Sequence, residues 1–310
     1  MKIIVTGGLG HIGSYLIRKL PEVFISSEII IIDNLMTNRF CSLFNLPEIG
    51  NYSFYQMDVI KDNIEEHFIN ADYVIHLAAI TDAANSFNNA DEVENNNFKA
   101  TQLISNLCSK YKVKLITLSS TSVYGTNNKL VDENATSENL NPQSPYAKTK
   151  LKEESFVLDL CKNRKLDATI FRFGTIFGVS PGIRFHTAVN KFCWQAAWGK
   201  DLTVWSTAYN QVRPYLDIKD ASRAIIHVIK NEIFKGEIYN VLTFNASVSE
   251  IIDEIKKYSP NLKIKKVNNK IMNQLSYEVS TAKFKQTSFK YSGNLELGIK
   301  DTMQLLGLGS

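Results

Sequence analysis

The chain has 310 residues, too many for one ordinary small domain and enough for one large α/β unit or two modest ones whose core needs no staples. Apolar residues make up 44% and charged residues 21%, the mixture of a soluble globular protein, which excludes a disordered chain. The net charge of +4, from 35 basic and 31 acidic residues, gives no support to a nucleic-acid binder.

Cys41, Cys108, Cys161 and Cys193 stand far apart, with no C-x-x-C pair and no clustered histidines. Neither a metal site nor a disulfide framework is expected. No run of about 20 apolar residues is present to span a membrane. The start, Met1-Lys2-Ile3-Ile4-Val5-Thr6-Gly7, lacks the charged region and long apolar stretch of a leader. A reducing cytoplasm is therefore the expected location, and the sequons at Asn134 and Asn245 are chance matches.

Through the first half, short apolar runs alternate with helix-period segments. Strands are expected over residues 2–6, 28–32, 52–56, 73–76, 114–118 and 168–171, and helices over 11–20, 91–110 and 146–163. Near-continuous Ile/Val/Leu strands separated by helices are what a parallel sheet covered on both faces requires, so the fold class is α/β.

The first strand runs into Gly7-Gly8-Leu9-Gly10-His11-Ile12-Gly13, and a helical pattern follows. Gly7, Gly10 and Gly13 carry the spacing G-x-x-G-x-x-G. Glycine suits a tight turn whose backbone approaches a pyrophosphate at a helix N-terminus. Asp33 closes the second strand 20 residues after Gly13, where a carboxylate accepts from ribose hydroxyls and repels a 2′-phosphate. That favours NAD over NADP, the bland alternative being that Asp33-Asn34 caps a helix. Asp58-Val59, after the third strand, is placed for the adenine edge or for simple turn chemistry. His11 and His76 read as packed or hydrogen-bonded residues.

The fifth strand ends in Ser119-Ser120-Thr121-Ser122-Val123-Tyr124-Gly125, and strand carboxyl ends line the ligand crevice of a doubly wound sheet. Tyr146 and Lys150, at i and i+4, share one helix face after the turn-forming Pro142-Gln143-Ser144-Pro145. A tyrosine is a poor base at neutral pH, and a lysine ammonium with a positive nicotinamide ring favours its phenolate.

The second half has a loop at 178–182, helices near 185–198, 217–230 and 247–257, and a short strand near 238–241. Residues 259–285 read as surface strands and loops. The lysines at 256, 257, 263, 265, 266 and 270 read as a solvated face.

Taken together, the sequence resembles the extended short-chain dehydrogenases/reductases, in their nucleotide-sugar epimerase/dehydratase branch. The match is carried in order by Thr6 to Gly13, Asp33-Asn34-Leu35, His76-Leu77-Ala78-Ala79, Asn97 with Thr101, and Ser119 to Gly125. It continues with Pro145 to Lys150, Phe171-Arg172-Phe173-Gly174-Thr175-Ile176-Phe177-Gly178, and Arg213-Pro214-Tyr215-Leu216-Asp217-Ile218-Lys219-Asp220-Ala221. It covers essentially the whole chain.

The resemblance implies a Rossmann-type doubly wound parallel sheet over residues 1–175, with a return of about 214–242, and a smaller substrate-binding lobe over 176–310. NAD is then held by the glycine loop with His11 and Ile12, by Asp33, Asn34, Asp58, Val59, Leu77, Ala78, Ala79 and Asn97, and by Tyr146 and Lys150. It makes Tyr146 the base, Lys150 its tuning partner, and Ser120 or Thr121 the group that orients the substrate 4-hydroxyl. Thr81, Ser122, Thr175, Asn190 and Arg213 face a nucleotide-diphosphate sugar, with Arg213 on the diphosphate. A homodimer through helices 91–110 and 146–163 is also implied, although their apolar residues suit a sheet-facing core equally.

Within the branch, 4,6-dehydratases carry an Asp-Glu pair where Thr121 and Ser122 stand here. Decarboxylases keep a Glu at the position of Ser122, and the NADP reductases a Cys and a His. The expected reaction is therefore 4-epimerisation through a transient 4-keto sugar. The alternatives are oxidation that stops at the ketone and an NAD-binding regulator without catalysis. Thr175 and Gly174 depart from the Asn and aromatic usual in that segment, which reshapes the wall beside the sugar.

Overall fold

A computed structural model describes residues 1–81, 85–125, 129–136, 140–267 and 276–307; Lys270 of the basic run lies outside them. In chain order the strands are β1 (Lys2–Thr6), β2 (Glu28–Asp33), β3 (Asn51–Gln56), β4 (Tyr73–His76), β5 (Lys114–Ser120), β6 (Leu130–Val131) and β7 (Ala168–Phe173). They continue with β8 (Thr175–Phe177), β9 (Leu202–Trp205), β10 (Val212–Asp217), β11 (Glu237–Val241), β12 (Phe244–Ser247), β13 (Ile264–Val267) and β14 (Glu278–Val279). The helices are α1 (His11–Val23), α2 (Ala90–Tyr111), α3 (Pro145–Lys162), α4 (Ala188–Ala197), α5 (Ile218–Lys230), α6 (Val248–Lys256), α7 (Ala282–Lys285) and α8 (Leu295–Leu305).

Seven parallel strands form the central sheet in the order β3-β2-β1-β4-β5-β7-β11. The apolar strands explain it, because alternate residues enter two different cores. Ile3 and Val5 of β1 pack with Leu16, Ile17, Ile225 and Val228 under α1 and α5. Ile4 points the other way, toward Ala100, Ile104 and Val157 under α2 and α3. Two faces each burying a full set of aliphatics stabilise this layered arrangement. The strand order reverses between β1 and β4, and the crevice at such a switch point is where open α/β sheets take ligands.

A second lobe sits beyond the carboxyl ends of the strands. Its three-stranded sheet, β12-β10-β8, and the parallel pair β13-β9 pack with α4, α6 and α8 around Phe177, Phe192, Ile251, Ile252 and Met303. β10 therefore does not return to the central sheet; of the expected return over about 214–242, α5 and β11 do. Pro214 sits within β10. It lies where β10 pairs with β12 alone, since pairing to β8 begins at Tyr215, so a missing N–H is tolerated. Ile104, Leu107 and Val157 of α2 and α3 are buried in the sheet-facing core. Among the described residues no helix is long and apolar enough to cross a membrane.

Candidate active site

β1 hands the chain to α1 through the glycine loop, and no side chain caps that helix at Gly10. Its leading N–H groups and their positive dipole end are therefore presented to the loop. Gly7 has φ +67°, and a Cβ there would stand 2.6 Å from the Ala78 nitrogen. A Cβ on Gly13 would stand 2.7 Å from the Gly7 carbonyl oxygen. Only glycine lets β1, α1 and the end of β4 approach this closely.

The Asp33 carboxylate accepts from the Leu9 N–H at 3.1 Å and the Leu35 N–H at 2.9 Å, which fixes it beside the same loop. Asn34 donates to Asp58 at 3.1 Å, and Asp58 also accepts from the Ile60 N–H at 3.0 Å, so Asp58 shapes its own turn. Val59 is buried in the core under α2. Asn97 differs from its expected role as a cofactor contact. Its amide oxygen accepts from the Ile80 N–H and its NH2 donates to the Ile80 carbonyl, each at 2.8 Å. It therefore clamps the backbone just beyond Leu77, Ala78 and Ala79 and acts through them.

α3 begins where it does because the Ser144 hydroxyl caps the Ala147 N–H at 3.2 Å and Pro145 takes the first turn. That start puts Tyr146 and Lys150 against the carboxyl ends of β4 and β5. The Lys150 ammonium lies 2.8 Å from the Glu153 carboxylate, both side chains about 5% exposed. Burial raises the Tyr146 pKa, Lys150 pulls it down and Glu153 pushes it back up, leaving it above the ordinary value. The pull of Lys150 expected from the sequence is present, but burial outweighs it. Burial opposes the Lys150 charge, and Glu153 and Tyr146 restore it, holding the lysine above its usual range.

Ser120 ends β5 and its oxygen accepts from the Ser122 N–H at 3.1 Å and the Ser122 hydroxyl at 2.9 Å. With its acceptor sites so used, the Ser120 proton is the group left to donate. Thr121 donates instead to the Phe173 carbonyl at 3.3 Å. Of the two, Ser120 has the freer hydroxyl.

These groups meet in one cavity of about 740 Å³ that runs from the glycine loop past Ser120, Tyr146 and Lys150 into the second lobe. Chain 3–241 matches the family model described as NAD dependent epimerase/dehydratase family. The chain belongs to the NAD-dependent epimerase/dehydratase family. Its architecture is the extended short-chain dehydrogenase/reductase fold.

Among relatives, a dTDP-D-glucose 4,6-dehydratase of Dictyostelium discoideum is 32% identical over 262 residues, 78% of this chain and 58% of its own. A trifunctional UDP-glucose 4,6-dehydratase of Arabidopsis thaliana is 30% identical over 97% of this chain and 46% of its own. The chain thus spans about half the length of these two relatives. The solved UDP-glucuronic acid 4-epimerase of Bacillus cereus, in complex with UDP-glucuronic acid and NAD, superimposes with a TM-score of 0.88 at 25% identity, covering 99% of both chains. UDP-glucose 4-epimerase of Thermotoga maritima gives a TM-score of 0.84 at 24% identity over 98% of both chains and speaks for the fold.

The groove of this family member fits NAD. The Gly7 and Gly13 contacts leave a backbone cradle where any side chain would intrude, and Asp33 sits at its rim.

Two histidines of this epimerase/dehydratase-family chain, His11 and His76, are neutral structural groups. His11 hydrogen-bonds the Gly178 carbonyl at 2.8 Å, tying α1 to the loop after β8, and burial lowers its pKa to about 4. His76 pairs with the Thr6 hydroxyl at 2.8 Å, and burial takes it down to about 3.

Farther along, Thr175, Arg213 and Tyr277 line the cavity in the second lobe. The Arg213 guanidinium stands 5.4 Å above the Tyr277 ring and donates to the Gln211 side chain at 2.8 Å. Asn190, expected at the nucleotide, is wholly buried and does not line the cavity. It accepts from the Gly178 N–H at 3.1 Å and donates to the Arg184 carbonyl at 2.9 Å, which folds the loop between them. The loop then presents Arg184, whose guanidinium donates to the Thr81 hydroxyl beside the Tyr146 end of the cavity. Arg184, Lys191 and Trp205 all line the cavity and went unmarked in the sequence. Arg184 had one usable signal, a cation following the Gly-rich loop; Trp205 had none, since its position depends on β9 pairing with β13.

Proposed function

We propose that this protein is an NAD-dependent nucleotide-sugar 4-epimerase working through a transient 4-keto sugar. The observation that carries the reading is the make-up of the cavity wall. Tyr146, Lys150 and Ser120 meet there, and among the described residues no Asp or Glu lines it. Eliminating water across carbons 5 and 6 calls for an acid and a base beyond those used at carbon 4. At the two positions after Ser120 stand Thr121 and Ser122, alcohols already engaged with the Phe173 carbonyl and Ser120. The dehydratase activity named for several relatives is therefore not carried over to this chain.

Bound NAD supplies the hydride acceptor and donor at carbon 4. Tyr146 takes the 4-hydroxyl proton and later returns it, Lys150 supports the phenolate, and the Ser120 hydroxyl donates to the reacting oxygen. Arg213 and Lys191 supply positive charge for a diphosphate, which is why a chain of near-neutral net charge accepts an anion. The Bacillus cereus neighbour acts on UDP-glucuronic acid. Arg184, next to Thr81 and facing Tyr146, supports including acidic sugars among the substrates. The partners expected of the family extend to a second copy of the chain across α2 and α3, where Phe98 and Phe156 form a half-buried edge-to-face pair 6.0 Å apart. Sedimentation of the purified protein tests that dimer.

The deciding assay incubates the protein with NAD and UDP-, GDP- and dTDP-linked hexoses and uronic acids. A new epimer without net NADH supports the reading. Accumulating NADH makes it a C4 dehydrogenase instead, and a 4-keto-6-deoxy product carrying solvent deuterium at carbon 5 overturns it in favour of a dehydratase.

A further inference from the structure

Glu153 is the one acidic side chain in hydrogen-bonding contact with the Tyr146–Lys150 pair among the described residues, and its surroundings are unusual for a carboxylate. The residue is 4% exposed. One oxygen accepts from the Lys150 ammonium at 2.8 Å and from the Thr101 hydroxyl of α2 at 3.0 Å. The other oxygen is buried without a hydrogen-bond partner. Desolvating a carboxylate with half its capacity unmet is costly and repaid only by a closely held cation.

We propose that Glu153 is a positioning residue for the reaction: its carboxylate fixes the Lys150 ammonium and offsets that charge at the Tyr146 phenol, setting the pH at which Tyr146 becomes a base. The inference rests on Tyr146 and Lys150 being the proton-handling pair of the function proposed above. The other charged or titratable groups facing the pair are few. Glu154, next along α3, is engaged by Arg172 through two hydrogen bonds of 2.8 and 2.7 Å. His76 of β4 is neutral, since burial holds its pKa at about 3. Arg184, from the loop after β8, favours the phenolate as Lys150 does. Thr101 is uncharged and serves to aim the carboxylate. Glu153 is thus the group that opposes Lys150 at the phenol.

The sign follows. Removing the negative charge leaves Lys150 uncompensated, so the phenolate forms at lower pH. Lys150 meanwhile loses its partner and gives up its proton more readily, which brings an alkaline limb down. The direct measurement is tyrosinate ultraviolet difference titration of the NAD-loaded protein, with Tyr146→Phe as the blank that isolates Tyr146. Glu153→Gln is expected to lower the Tyr146 midpoint by about one pH unit relative to the unsubstituted protein. Glu153→Asp, whose shorter stem withdraws the charge from Lys150, gives a smaller shift of the same sign. Thermal unfolding is measured alongside. A carboxylate that merely packs α3 against α2 would lower the melting temperature and leave the midpoint where it was. An unshifted midpoint in whichever variant folds overturns the proposal. The titration needs no sugar, so a shifted midpoint with no sugar turned over sinks the functional reading and leaves this one standing.

Discussion

The Glu154 carboxylate grips the Arg172 guanidinium through two hydrogen bonds of 2.8 and 2.7 Å, with both side chains under 5% exposed. The pair joins α3 to β7, and Arg172 also donates to the Tyr124 hydroxyl at 2.9 Å beyond the end of β5. α3 carries Tyr146 and Lys150, so this ion pair helps to set how that helix sits on the sheet. It also holds Arg172 strongly protonated, because the carboxylate outweighs the penalty of burial.

Breaking one side of such a pair leaves a buried charge uncompensated. Glu154→Gln or Arg172→Met is expected to cost about 3 to 5 kcal/mol of unfolding free energy. Urea denaturation monitored by circular dichroism measures it. A loss well under 1 kcal/mol would mean that the helix is held in place by its apolar face alone.

Tyr146→Phe removes the proton carrier and keeps the ring. On the proposed reading, turnover of the nucleotide-sugar substrate is expected to fall by about a hundredfold to ten-thousandfold, the usual worth of a positioned acid-base group. NAD affinity, followed by protein fluorescence quenching, should change little. A variant that retains most of its activity would move the base elsewhere in the cavity.

Gly7→Ala tests the cradle. The new Cβ would meet backbone atoms of Leu77 and Ala78 at 2.6 to 2.7 Å, and the residue would keep φ near +67°. Backbone cannot retreat as a flexible side chain can. The expected penalty is about 1 to 3 kcal/mol in stability, together with a loss of NAD binding measurable by calorimetry. Unchanged NAD affinity would place the cofactor away from this loop.

On the proposed reading, Asp33 carries the cofactor choice. Asp33→Ser removes the negative charge beside the glycine loop, and the ratio of NAD to NADP affinity should fall as the ribose loses an acceptor and a 2′-phosphate loses its repulsion. Part of the effect will be structural, since the carboxylate also holds the Leu9 and Leu35 N–H groups. An unaltered ratio would show that the preference for NAD is set elsewhere.

The central sheet was readable because its signal is local. Runs such as Glu28 to Asp33 bury alternate isoleucines on two faces, and the glycine loop, Asp33 and Tyr146-Lys150 sit at fixed offsets within such elements. The second lobe was not readable in the same way. β8, β10 and β12 are short, carry Pro214 and Asn245, and exist because distant segments pair with them. The same is true of single residues. Asn97 and Asn190 were expected at the cofactor and the nucleotide, and only the folded chain shows that both spend their amides on neighbouring backbone. Lys150 was legible as a partner of Tyr146. The opposing charge of Glu153, one helical turn on, becomes visible only when burial is known.

His11 and His76 give the chain a predictable acid limit. Burial depresses the pKa of His11 to about 4 and of His76 to about 3, from an ordinary 6.5. In the folded state both are neutral at pH values where the unfolded chain already binds a proton at each. The unfolded state thus binds more protons below pH 6.5, and stability falls as the pH falls. The contribution is fully present above 6.5, declines between 6.5 and about 4 for both rings, and declines further for His76 alone down to about 3. At about 1.4 kcal/mol per proton per pH unit, the slope from the two rings together is on the order of 2 to 3 kcal/mol per unit in the middle of that window, where the unfolded rings are charged and the folded ones are not. His11→Gln removes one of the two protons while retaining a side chain that reaches toward the Gly178 carbonyl. Its unfolding free energy, measured by urea titration at several pH values between 4 and 7, should therefore decline about half as steeply from this cause as the wild type does. A variant whose slope matches the wild type would mean that His11 is charged, or exposed to water, in the folded protein.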